Sequence, residues 1–68
     1  MAITFKLNGE EHSLDKALYL PDLLKALNVP RENTGIVLNG DIIPTEDLGQ
    51  FMVENGDELE LIRFVGGG

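Results

Sequence analysis

The chain has no cysteine and no tryptophan, one histidine and only five basic residues. Lack of cysteine excludes a disulfide framework, a thiolate metal site and a cysteine nucleophile, and it fits a reducing compartment, so a cytoplasmic location is expected. Lys6, Lys16, Lys25, Arg31 and Arg63 are scattered and face twelve acidic residues, which leaves a net charge of −7. A phosphate backbone is bound by clustered Lys and Arg, so nucleic acid is not an expected partner. No apolar run approaches the roughly 20 residues of a membrane span, and no basic stretch with a following apolar segment opens the chain. Neither a membrane nor a secretory route is therefore expected.

The chemistry of catalysis is also missing. His12 stands beside Ser13, and neighbours in a strand point to opposite faces, so no nucleophile, base and orienting acid converge. The stretch "EEH" with Asp15 offers carboxylates and one imidazole on an expected edge strand; solvated side chains are the expectation there, and no metal site. The glycines cannot form a phosphate loop, because such a loop leads into a helix N-terminus. The chain is expected not to be an enzyme and to hold no permanent cofactor.

What is present reads as one small α+β domain. At 68 residues with 43% apolar content, it can form a single core close to the lower size limit for an unaided fold. "AITFKL" alternates Ile3, Phe5 and Leu7 with Thr4 and Lys6, the period of a half-buried strand, and Asn8-Gly9 then signals a hairpin into an edge strand through "EEHSL". Leu20, Leu23, Leu24 and Leu27 fall on one face of a helix with Pro21 at its first position and Asn28 as its stop. "GIVLNGDIIP" reads as a strand, a second Asn-Gly turn and a short strand closed by Pro44. Thr45 to Leu48 resembles a cap and a single helical turn with Leu48, Phe51 and Met52 as its apolar positions. A turn at Asn55-Gly56-Asp57 leads to the last strand, "ELELIRFV". The expected domain is residues 1–65, a sheet of four to five strands with one helix on one face, followed by a glycine tail at 66–68.

Two features of the last strand point to function. Leu59 and Leu61 alternate with Glu58 and Glu60, but this phase puts Ile62 and Phe64 on the acidic side. Either a bulge shifts the register and buries them, or they form an exposed apolar docking spot. The chain then runs through Val65 into Gly66, Gly67 and Gly68. Glycines have no Cβ to clash in a narrow site and allow close backbone approach. From Val65 to Gly68 the extended reach is about 13 Å, enough to place a carboxylate inside a partner's pocket.

Over essentially its whole length the chain resembles the ThiS family of thiamine-biosynthesis sulfur carriers, which have the ubiquitin-like β-grasp fold. The segments that carry the likeness are "ITFKLNGE", "LPDLLKALNV", "VLNGDIIP", "ENGDELELI" and the final "VGGG". The resemblance implies that a ubiquitin-activating-type adenylyltransferase (ThiF/MoeB-like), using ATP and magnesium, adenylates the carboxylate of Gly68. Sulfur drawn from cysteine by a cysteine desulfurase then displaces AMP, and the thiocarboxylate serves thiazole synthase. Gly68 would be the covalent site, Gly66 and Gly67 the residues recognised in the tail, and the free protein a monomer. Many relatives carry a basic residue where this chain has Thr45 and a valine where it has Ile43; the first departure bears on any partner contact made there. Two alternatives remain: the small subunit of molybdopterin synthase, with the same fold and end but usually longer, and a ubiquitin-like protein modifier or interaction module.

Overall fold

The computed structural model describes residues 2–63. In chain order the elements are β1 (Ile3–Leu7), β2 (Glu10–Leu14), β3 (Leu18–Tyr19), α1 (Leu20–Ala26), β4 (Thr34–Leu38), β5 (Asp41–Ile42), a 3₁₀ helix (Thr45–Gln50), β6 (Met52–Val53) and β7 (Glu58–Arg63). Five strands form one mixed sheet in the order β2-β1-β7-β4-β5, with β2 on an edge as expected, and β3 and β6 form a separate two-stranded ribbon. One main helix over a mixed sheet is the α+β plan expected of a β-grasp.

Alternation selects the buried face of each strand. In β1, Ile3 and Phe5 are buried while Thr4 and Lys6 are exposed; in β4, Thr34, Ile36 and Leu38 are buried and Gly35 and Val37 half-buried. Leu59 of β7 adds to this sheet face, and Leu20, Leu23 and Leu24 of α1 complete the core with Ile43, Leu48 and Val53. The helix ends as its sequence indicates. Asn28 takes φ 59, its N–H donates to the Lys25 carbonyl, and the Val29 N–H donates to that of Leu24. This pair of bonds satisfies carbonyls that the last turn would leave bare.

Two local expectations are corrected. Helix α1 begins at Leu20, so Pro21 occupies the second position; it still lies in the first turn, where the lost N–H has no helical partner. The segment after Pro44 is a 3₁₀ helix in which Pro44 is the N-cap residue and Thr45 makes no side-chain cap bond. Only Leu48 of the three apolar residues is buried within it. Phe51 follows the helix and Met52 belongs to β6, which pairs with β3 through Tyr19↔Met52 and Leu18↔Val53. The Leu20 N–H donates to the Phe51 carbonyl, so this chain segment is recruited as an extended partner for the approach to α1.

Candidate functional site

Strand β7 occupies the middle of the sheet. Its Lys6↔Glu58 and Leu7↔Leu59 pairs with β1 are parallel, and its pairs with β4 run antiparallel from Leu38↔Leu59 to Thr34↔Arg63 without interruption. There is no bulge between Glu58 and Arg63, so of the two readings of the broken alternation the structure shows the exposed one for Ile62. Leu59 is buried and Leu61 packs against the core from the same face. Ile62 shares the opposite face with Glu58 and Glu60 and is 48% exposed. Its directly opposed neighbour on β4 is Gly35, which brings no side chain to cover it.

The same register places more apolar surface beside Ile62. Val37 lies opposite Glu60 on one flank and opposite Ile42 on the other. Ile42 is 79% exposed, the highest value among the large exposed hydrophobics described. Val37 and Ile62 are diagonal neighbours on the same face of the β4–β7 pair. The outer face thus presents Ile42, Val37 and Ile62 around the carboxylate of Glu60. The sequence did not reveal Ile42 or Val37 as surface residues, because "GIVL" and "DII" are nearly all apolar and a uniform run has no visible phase.

Turn asparagines brace β7 from both sides. Asn8 and Asn39 each take φ 51, followed by Gly9 at φ 85 and Gly40 at φ 87, the conformation for which Asn-Gly is favoured in two-residue hairpins. Each amide then does a second task. The Asn8 Oδ1 accepts from the Leu61 N–H (2.9 Å), and the Asn39 Oδ1 accepts from the Glu58 N–H (2.9 Å). At the start of β4, the Thr34 hydroxyl donates to the Pro30 carbonyl (2.7 Å) and fixes the loop opposite Arg63.

Other expectations divide as follows. The His12 imidazole lies against the Phe5 ring, with centroids 5.9 Å apart, and is half-buried as a cross-strand neighbour. Among the described residues no three His, Cys, Asp or Glu side chains are grouped to hold a metal ion. No helix among them is long and apolar enough to cross a membrane. Phe64 and the tail residues Gly66, Gly67 and Gly68 lie outside the described residues.

Comparison with known proteins gives consistent results. The model of the ThiS family matches residues 2–68. A crystal structure of the thiamine biosynthesis protein ThiS from Geobacter metallireducens superimposes with a TM-score of 0.86 at 32% identity, covering 97% of this chain and all of that one. A solution structure of a thiamine biosynthesis protein from the same organism gives 0.81 at 32% identity, over 97% of this chain and 88% of the other. A thiazole synthase of Paramagnetospirillum magneticum is 34% identical over 62 residues, which are 91% of this chain but 19% of that protein. The chain therefore spans less than a fifth of the length of that relative.

Proposed function

The chain belongs to the ThiS family, and on that premise we propose that it is a cytoplasmic sulfur carrier for building the thiazole of thiamine, a protein substrate that partner enzymes act on. The observation that carries the reading is the position of β7. The strand that leads into the glycine run is paired with β1 on one side and β4 on the other, so the body offers those glycines from a rigid support. The family match that extends through Gly68 supports the same assignment, and the likeness to part of a thiazole synthase supports that enzyme as the acceptor.

In this mechanism an oxygen of the Gly68 carboxylate attacks the α-phosphorus of ATP held with magnesium by an adenylyltransferase, and pyrophosphate leaves. Sulfide-level sulfur, freed by a thiol reductant from the persulfide that a cysteine desulfurase forms, attacks the acyl carbon, AMP departs with the bridging oxygen, and a thiocarboxylate remains. Gly66 and Gly67 fit the channel to the reacting atoms because they lack side chains. Ile62 serves as docking surface outside it, together with Phe64. The test is an intact-mass spectrum after incubation with ATP, magnesium, an activating enzyme and a sulfur donor. The expected result is a gain equal to the exchange of one oxygen for sulfur, mapped to Gly68. An unmodified carboxylate beside an enzyme that activates another family member would overturn the proposal.

The docking role makes its own prediction. Ile62→Glu should lower stability by about 1 kcal/mol, since Ile62 is half-buried, at 48% exposed, on an outer face shared with Glu58 and Glu60. It should weaken association with the activating enzyme about tenfold or more, the effect of placing a charge in the apolar centre of an interface. Calorimetric titration and thermal melting measure the two effects separately, and unchanged affinity would remove Ile62 from the interface.

A further inference from the structure

We propose that Asn8 is a positioning residue for the glycine end of the chain. Its side-chain amide stands in for the next residue of β1 and so sets the line along which β7 leaves the sheet. The main chain of β1 accompanies β7 only as far as Leu7↔Leu59. The Asn8 N–H donates to the Leu59 carbonyl (2.9 Å), and Gly9 at φ 85 then turns the backbone away into β2. The next main-chain groups of β7 on that flank belong to Leu61. Both are met by one side chain from 53 residues away: Oδ1 accepts from the Leu61 N–H (2.9 Å) and Nδ2 donates to the Leu61 carbonyl (3.5 Å). On the opposite flank β4 continues to Thr34↔Arg63. Without the Asn8 amide, Leu61 would be held from the β4 side only.

Asn39 supplies the control. Its amide braces the other end of β7, where Oδ1 accepts from the Glu58 N–H and Nδ2 donates to Asp57 Oδ1 (3.1 Å). Glu58 lies at the start of the strand and Leu61 near its exit. The two asparagines share the turn geometry and an Oδ1 that accepts from a β7 N–H; they differ in the Nδ2 partner, a main-chain carbonyl for Asn8 and a carboxylate for Asn39, and in which end of β7 they hold. Loss of either should lower global stability to a comparable degree, whereas only loss of Asn8 should loosen the exit.

The experiment compares wild type, Asn8→Gly, Asn8→Asp and Asn39→Gly by amide hydrogen exchange and by carrier-dependent ATP–pyrophosphate exchange. Glycine keeps the left-handed turn and removes the amide, while aspartate keeps an oxygen that accepts from Leu61. Asn8→Gly should speed Leu61 exchange about 5- to 30-fold beyond the change seen at core amides, the factor for freeing about one residue. Asn8→Asp should restore most of that protection, and Asn39→Gly should leave Leu61 unchanged once global stability is matched. In activation, which rests on the carrier reading above, Asn8→Gly should raise the half-saturating carrier concentration by a similar factor with the maximal rate nearly retained. Wild-type Leu61 exchange in Asn8→Gly, or an equal rise in half-saturation from Asn39→Gly, would overturn the positioning role. If the wild-type chain is not activated at all, the carrier reading fails and the exchange comparison alone decides the role of Asn8.

Discussion

A chain lacking Gly68 should melt at the temperature of the full chain and should not be adenylated. The core that holds the fold runs from Ile3 to Leu59, with Leu61 packed against its edge, so removing a glycine seven residues past Leu61 takes nothing from it. The chemistry is far less tolerant. Phe64 to Gly68 can extend by about 16–18 Å, and each residue supplies about 3.3–3.6 Å of that reach. Reacting atoms must come within about 3–3.5 Å of each other, and a displacement of about 1 Å can cost on the order of a hundredfold in rate. Deletion moves the carboxylate by a whole residue while the docked body stays in place. Gly67→Val keeps the length but adds a branched Cβ where backbone must approach closely, and it should fail for that separate reason. Pyrophosphate release gives the first readout and a thermal melt the second. Normal adenylation of both variants would remove the tail from the mechanism.

Leu23→Ala should reverse the pattern, costing stability and leaving the tail chemistry of any folded fraction intact. Leu23 is fully buried in α1, and truncating such a leucine costs about 2–5 kcal/mol, the spread reflecting how far the cavity collapses. A domain of this size has a total stability of roughly 3–10 kcal/mol at about 0.05–0.15 kcal/mol per residue. The loss is therefore a large fraction of everything that keeps the chain folded. Urea unfolding should show the midpoint falling, and the melting temperature should drop by at least about 8 °C, from about 4 °C per kcal/mol. Ile42→Ala is the control: at 79% exposed it should change the midpoint little. A loss below about 1 kcal/mol for Leu23→Ala would mean that α1 does not close the core.

The contrast between these variants follows from how the chain divides its work. The buried leucines keep the sheet and helix together, and their role was legible where an element was long enough and mixed enough in polarity to show a period. β1 displayed its alternation, α1 its leucine face, and Asn28 its stop. The ribbon of β3 and β6 showed nothing, because two residues cannot display a period; it exists since Leu18 and Val53 meet across 35 positions while both approach the same core. Phe51 and Met52 carry no local mark of this pairing for the same reason.

The sequence by itself determined the local geometry and the chemical repertoire. It set which turns form, since Asn-Gly tolerates the required positive φ, and with no cysteine it offers no thiolate ligand or nucleophile. It also placed Ile62 out of phase with Leu59 and Leu61. Only the tertiary structure decided what that phase break means. Whether Ile62 is buried by a bulge or left exposed depends on its partner strand, and β4 answered with an unbroken register and a glycine opposite. The second task of Asn8 was decided in the same way. Local φ preference explains why asparagine suits the turn, but its bond to Leu61 exists only because folding lays β7 alongside β1, and no spacing along the chain records which strands will lie side by side.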